Sequence, residues 1–220
     1  MKGLQAVGWL EGLSDQDIQW IERQGAYQSY QARETIFLQG EELTAYFFVL
    51  EGLVSTYHQN EEGKKWIASL FSRGDFFPHV GLMNQQHKYP ACCEAIAAST
   101  LFVLPRGSMD DVFHKFPSIR EHLTVFLTEK SQELISRFSD SVLESASHRL
   151  VSFLKKLSAK SGNQGEDGWC LISHDMTEQD MAEYIGVTPE TISRILHRLY
   201  RESRARKVGR KQISVNLKRL

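Results

Sequence analysis

Cysteine is scarce in this chain, with three among 220 residues, and none of the three falls in a framework spacing. That excludes a small disulfide scaffold and fits a reducing compartment. Proline is also scarce, at five, and no low-complexity tract interrupts the sequence, so an extended or disordered chain is excluded. No apolar run approaches the length of a membrane span. No basic stretch followed by an apolar one opens the sequence, and the expectation is a cytoplasmic protein without a membrane partner. No His-x-His pattern is joined to a carboxylate, and His58, His79 and His87 are scattered. A cupin-like metalloenzyme is thereby set aside, with no metal centre and no catalytic residue expected. Net charge is nearly absent as well, at −1, which taken alone speaks against nucleic acid.

The distribution of that charge reverses the reading. Between 189 and 220, ten Lys and Arg stand against two acids, a surplus of eight positive charges, and the rest of the chain is about nine negative. A basic terminal module on an acidic body is the footprint of phosphate binding. Within and just before it, residues 176–200 read as two short helices about a tight turn. Thr177 caps the first, with Asp180 three residues on in a capping-box position. Met181, Ala182 and Ile185 make its apolar face, and Gly186 turns the corner. Thr188 caps the second helix and Pro189 occupies its first position. Ile192, Ile195, Leu196 and Leu199 face inward at helical spacing. Glu190, Thr191, Ser193, Arg194, His197 and Arg198 are left outward. A helix-turn-helix showing Glu, Ser and Arg at the start of its second helix is a DNA reader in outline.

The period of the sequence changes along the chain. Residues 9–24 predict a short amphipathic helix capped by Ser14 or Asp15. From Ser29 to Leu104 short strands are predicted at 45–50, 53–58, 65–71, 92–97 and 100–104, with glycines 40, 52, 63, 74 and 81 at turns. The Asn60–Gly63 stretch signals a hairpin. Met109, Val112, Phe113 and Phe116 predict a short helix ended by Pro117. A long helix then runs from Ser118 to about Glu144, followed by an amphipathic helix over 147–159, a flexible loop over 161–168 and a strand over 169–173. Residues 207–215 predict a β-hairpin wing carrying Arg210 and Lys211, with Val208, Ile213 and Val215 facing in. On the long helix Leu123, Leu127, Leu134, Phe138 and Val142 form a near-heptad stripe interrupted by Lys130 and Ser131. That stripe fits burial against the helix's own domain or a homodimer seam, and a dimeric reader needs its two heads one DNA turn apart, ~34 Å.

Gly40-Glu41, Tyr46–Val54 and Ser72–Phe77 resemble the β-roll of the cyclic-nucleotide-binding superfamily, with Phe47, Val49 and Val54 filling the roll. Roll, long helix and winged helix-turn-helix in this order resemble the Crp/Fnr family of bacterial transcription regulators. The resemblance implies an α+β chain: an antiparallel jelly-roll sensor domain over 1–117, a dimerisation helix over 118–145 and a winged helix-turn-helix over 146–220. The Glu190-Thr-Ile-Ser-Arg194 motif is similar to the pattern with which the fumarate–nitrate regulator branch reads a TTGA-type half-site. By that resemblance Glu190 accepts from cytosine N4, Arg194 forks onto guanine O6 and N7, and Ser193 lies against a thymine. Thr177, Thr188, Thr191, Arg210 and Lys211 are the expected phosphate contacts. Leu123, Leu127, Leu134 and Phe138 are the expected dimer interface, and RNA polymerase is the implied protein partner besides a second copy of the chain. In the free protein Glu190 also suits the helix dipole, and Arg194 an i, i+4 ion pair with Glu190.

The sensing half departs from the family pattern. Where the cAMP-receptor branch has a Gly-Glu pair this chain has Pro78-His79, and where it has Arg-Ser this chain has Tyr89-Pro90. The polar pair on the long helix is replaced by Leu134-Ile135. A nucleotide phosphate would be buried there without a counter-charge, so cAMP is not the expected ligand. Residues 1–30 contain no cysteine, which speaks against the family's iron–sulfur cluster, and His79 with His87 is a weak basis for haem. No cofactor is expected. The candidate effector pocket is His79, Tyr89, Leu134 and Ile135, with an unidentified effector or a redox signal at Cys92-Cys93 as the input. The alternative function is a cyclic-nucleotide-binding-like module acting on protein partners. After the second reader helix the usual Gly-Leu-Ile is Ser203-Arg204-Ala205, which leaves two options open: a loosely docked wing, or an Arg204 that reaches the phosphates.

Overall fold

The computed structural model describes residues 3–4, 7–10, 12–79, 87–209 and 211–220, with the backbone alone at 9, 160 and 161. The chain divides into two compact units, 1–132 and 133–220, and the division falls inside the long helix.

The first unit opens with a 3-10 turn (Gly8–Leu10) and helix α1 (Asp15–Glu22). Ser14 caps α1 by accepting from the Asp17 amide at 3.2 Å. Among the described residues eight strands follow: β1 (Ala26–Tyr30), β2 (Thr35–Phe37), β3 (Ala45–Glu51), β4 (Leu53–Gln59), β5 (Lys65–Ser72), β6 (Phe76–Phe77), β7 (Cys92–Ala95) and β8 (Ser99–Pro105). They form two antiparallel four-stranded sheets, β1-β8-β3-β6 and β2-β7-β4-β5. Strands β1, β2 and β6 lie outside the predicted set. The polar sequence of β1 leaves it mostly exposed, so it shows no apolar alternation to read, and its pairing along β8 holds it in place. The β4–β5 hairpin turns at Asn60–Gly63, where the Asn60 side chain accepts from the Lys64 amide at 2.8 Å and Gly63 takes φ 82°. Predicted turn residue Gly81 lies outside the described residues.

Aromatic side chains fill the space between the sheets. Phe47, Val49 and Val54 are buried as predicted. Phe37 stacks on Tyr89 with centroids 3.8 Å apart, and Phe77 packs on Phe47 at 5.2 Å and on Phe71 at 5.0 Å. Helix α2 (Arg106–Lys115) closes the roll with Met109, Val112 and Phe113. The long helix α3 (Ser118–Leu143) begins against the same core through Ile119 and Leu123, with Phe126 and Leu127 half-buried on it.

In the second unit, α4 (Ala146–Ser161) leads into β9 (Gly162–Gln164), a 3-10 turn (Glu166–Gly168) and β10 (Trp169–Ser173). The predicted flexible loop over 161–168 is therefore largely ordered, because β9 pairs with β10. Glycine at 162 permits the pairing, since a Cβ there would collide with Cys170 Sγ and the Ser158 carbonyl. Helices α5 (Glu178–Ile185) and α6 (Pro189–Arg201) precede the wing strands β11 (Ala205–Gly209) and β12 (Gln212–Asn216). The four strands form one sheet in the order β11-β12-β10-β9. The register shifts between Lys207 and Gly209, and Val208, predicted to face in, is 55% exposed. Ile213 and Val215 are buried as predicted. No described helix is long and apolar enough to cross a membrane.

Candidate nucleic-acid interface

The helix-turn-helix is built from local contacts. Thr177 Oγ1 accepts from the Asp180 amide at 3.1 Å, and Asp180 Oδ2 accepts from the Thr177 amide at 2.7 Å, completing a capping box. The Thr177 hydroxyl also donates to Asp180 Oδ2 at 2.7 Å. A hydroxyl carries one proton, so in the free chain Thr177 has none to give a phosphate. Gly186 takes the left-handed conformation, φ 79° and ψ 44°, and donates to the Ala182 carbonyl. Thr188 caps α6, with Pro189 at its start.

On α6 the two faces separate by spacing alone. Ile192, Ile195, Leu196 and Leu199 are buried. Glu190, Arg194, His197 and Arg198 are exposed, and Thr191 and Ser193 are half-buried. The amide of Glu190 itself, and then the Thr188 hydroxyl, hold its carboxyl below the usual range, which keeps it an ionised acceptor. Arg194 donates from Nη2 to Thr191 Oγ1 at 3.2 Å rather than to Glu190, and Thr191 Oγ1 lies 3.2 Å from Thr188 Oγ1. The four side chains of this helix start therefore form one connected polar edge. Arg198 reaches back to Ser147 Oγ at the start of α4. That contact, across 51 positions of sequence, has no spacing signal.

The wing supplies exposed Arg206, Lys207 and Lys211. The Arg206 guanidinium lies 3.9 Å over the Trp169 ring, and Lys211 Nζ pairs with Asp175 Oδ1 at 2.7 Å. Arg210, an expected phosphate contact, lies outside the described residues. The unusual Ser203-Arg204-Ala205 segment docks the wing. Ser203 takes φ 54°, Ala205 is buried, and Arg204 donates from Nε to the Arg219 carbonyl at 2.8 Å and from Nη1 to Glu202 at 3.2 Å. Arg204 is thus committed within the chain, against a role on phosphates.

The four expected dimer residues part company. Leu123 is buried in the core of the first unit, because the first turns of α3 cover the roll, and Leu127 is half-buried there. Leu134 and Phe138 are 48% and 70% exposed. Also exposed are Ile135 at 68% and Val142 at 67%. Ile135, Phe138 and Val142 are spaced three and four apart, and the same spacing continues upstream through exposed Thr124, Thr128 and Ser131. Polar Thr124, Thr128 and Ser131 leave the upstream part of this register without an apolar signal in the sequence.

The expected effector residues also differ in kind. Tyr89 belongs to the core wall, with its phenol 3.3 Å from both the amide and the carbonyl of Ala45. His79 packs edge-on to Phe71 and Phe126. Burial, aided by Lys130 and opposed by Asp75, pushes its pKa down to about 4. Leu134 and Ile135 belong to the second unit and are exposed. Cys92 is half-buried and Cys93 fully buried, with burial pushing the Cys93 thiol well up. Among the described residues no three His, Cys, Asp or Glu side chains form a group that could hold a metal ion.

Known proteins resemble both units. Residues 27–116 match the family description "Cyclic nucleotide-binding domain" and residues 148–220 match "Crp-like helix-turn-helix domain". The chain is 30% identical over 189 residues to the regulatory protein HlyX of Actinobacillus pleuropneumoniae, covering 84% of this chain and 76% of that one. It is 29% identical over 204 residues to the fumarate and nitrate reduction regulatory protein of Vibrio cholerae, covering 91% and 78%. The anaerobic regulatory proteins of Aggregatibacter actinomycetemcomitans and Pasteurella multocida are matched over 64% and 61% of their own lengths. These relatives are regulators. Among solved structures, FixK2 from Bradyrhizobium japonicum superposes with a TM-score of 0.77 at 20% identity, covering 89% of this chain and 94% of that one, a likeness of fold.

Proposed function

This chain belongs to the Crp/Fnr family of regulators, and from that membership we propose that it is a sequence-specific DNA-binding transcription regulator, acting as a cytoplasmic homodimer on palindromes with TTGA-like half-sites. The observation that carries this reading is the outward edge of α6, where Glu190, Ser193 and Arg194 stand opposite a fully buried apolar face. Glu190 is the acceptor for cytosine N4, Arg194 the fork for guanine O6 and N7, and Ser193 the contact to thymine. Thr191 and the exposed wing cations are the phosphate contacts that fix register, and Thr188 joins them only where DNA takes its hydroxyl proton from Glu190. The pairing surface is the exposed stripe Ile135, Phe138 and Val142, with Leu134 beside it. Apolar side chains at heptad spacing and this exposed need a partner helix, and a second copy supplies an identical one. RNA polymerase is the further protein partner that such a regulator implies.

The signal is proposed to be something other than cAMP. By the resemblance to the cAMP-receptor branch, His79 aligns with a ribose-binding glutamate and Tyr89 with a phosphate-binding arginine, and the Tyr89 phenol is bonded into the wall at Ala45. Iron–sulfur and haem cofactors are likewise not part of the proposal. Of the adjacent cysteines only Cys92 is accessible enough to carry a redox input.

An electrophoretic shift on a TTGA palindrome and on the same duplex with scrambled half-sites tests the reading. Selective retardation of the palindrome is expected, weakened steeply by salt. Equal retardation of both duplexes refutes it. Isothermal titration detecting micromolar cAMP binding would overturn the exclusion of that ligand.

A further inference from the structure

The long helix holds the helix-turn-helix of its own chain at one tyrosine. Tyr184 lies in the last turn of α5 and makes three kinds of contact with two α3 residues one turn apart. Its phenol donates to Glu133 Oε1 at 3.0 Å. Its backbone carbonyl accepts from Arg137 Nη2 at 2.7 Å. Its ring lies under the Arg137 guanidinium, 3.8 Å from centroid to carbon, and packs on Phe153 of α4 with centroids 4.9 Å apart. The carbonyl is one of those a helix end leaves without an intrahelical partner, and a cation at that end is favoured by the helix dipole. Arg137 thus caps α5 at the turn of the helix-turn-helix itself. Burial pushes the phenol well above its ordinary range, against the lowering effect of Arg137, so it remains a donor at neutral pH.

At 100° per residue Glu133 and Arg137 point about 100–180° away from Ile135, Phe138 and Val142. One helix therefore carries an exposed apolar stripe on one side and a grip on the reading head on the other. We infer that Glu133 and Arg137 are positioning residues for DNA readout: through Tyr184 they fix the angle of the reading head on α3, and so the half-site spacing that a paired molecule accepts. This rests on the DNA-binding homodimer proposed above.

The test uses the full chain and three kinds of duplex, with a random-sequence duplex as control: a palindrome at its optimal spacing, the same half-sites one base pair closer and one farther apart, and a single half-site. Arg137→Ala is expected to lose about tenfold on the optimal palindrome, the size of one charge-assisted bond. It should keep wild-type affinity for the single half-site and discriminate less between spacings. Tyr184→Phe, which loses only the phenol bond, should move the same way by less, and Arg137→Lys should recover part of the loss. Hydrogen exchange at residues 184–188 should quicken in Arg137→Ala. A uniform loss on all three kinds of duplex overturns the positioning role, as does an unchanged spacing preference, and unchanged exchange overturns the grip. A wild-type chain that prefers no palindrome over random DNA refutes the DNA-binding reading itself, and the exchange rates then decide the grip alone.

Discussion

The first unit turns most of its aromatic side chains inward, whereas the second turns most of its charged ones outward. In the roll, Phe37, Phe47, Phe71 and Phe77 pack with one another and with Tyr89. In the reading head, a strictly apolar face of α6 is buried so that Glu190 and Arg194 can stand in water. The difference teaches where function can be read. A surface reader needs particular side chains at fixed helical spacing, and spacing is written in sequence. A sensor's specificity depends on which side chains meet inside a roll, and those come from distant positions.

The contrast implies that substitutions in the roll act on stability and substitutions in the head act on recognition. Phe77→Ala should cost the most, ~3–5 kcal/mol, the range for emptying a buried aromatic site. Denaturant titration should register this loss in the first unit and leave base preference intact in any protein that folds. A large change in base preference without loss of stability would break the contrast.

His79 sharpens it next. Its folded pKa is about 4 against an ordinary 6.5, so between these values protons favour the unfolded state. The stability it guards is complete above about 6.5 and is gone by about 4, roughly 3 kcal/mol at most for a shift of that size. Replacement by a residue that does not titrate, His79→Gln, should flatten this part of the pH–stability profile. A profile identical to wild type over the same window would show that the imidazole is not held neutral by burial.

In the head, Lys211→Ala should weaken binding to all sequences alike, by less than ~1 kcal/mol. The lysine already has a partner in Asp175, and exposed pairs of this kind are worth little. A loss confined to TTGA duplexes would give the wing a base-reading role that nothing in its geometry supports.

Much of the head was legible because its determinants are local. The Thr177–Asp180 capping box, left-handed Gly186, Thr188 cap and Pro189 lie within a few residues of the contacts they make. Strands β3, β4 and β5 were legible for the same reason, as short apolar-rich runs bounded by glycine turns. What was missed depended on distance or on a single-residue register. Strand β1 is polar and is recruited by β8. Strand β9 depends on Gly162 lying against Cys170. Val208 is turned outward by a wing bulge. The proposed pairing stripe was expected partly on Leu123, which is buried against the roll, and Leu127, which is half-buried there, whereas the exposed register passes one residue away through Thr124 and Thr128. Arg137 and Tyr184 lie 47 positions apart and left no pattern to find. In the effector region the residues expected to cooperate have separate roles: Tyr89 is part of the wall, and His79 is packed between Phe71 and Phe126.

The proposed base readout is tested most directly by pairing one protein change with one DNA change. Wild type and Arg194→Ala are each titrated against the TTGA palindrome and against a palindrome with the guanine replaced. Wild type is expected to lose ~1–3 kcal/mol on replacement of the guanine, and Arg194→Ala is expected to bind both duplexes equally. If Arg194→Ala still loses as much as wild type when the guanine is replaced, Arg194 does not read that base, and the assignment of α6 as the sequence reader is contradicted.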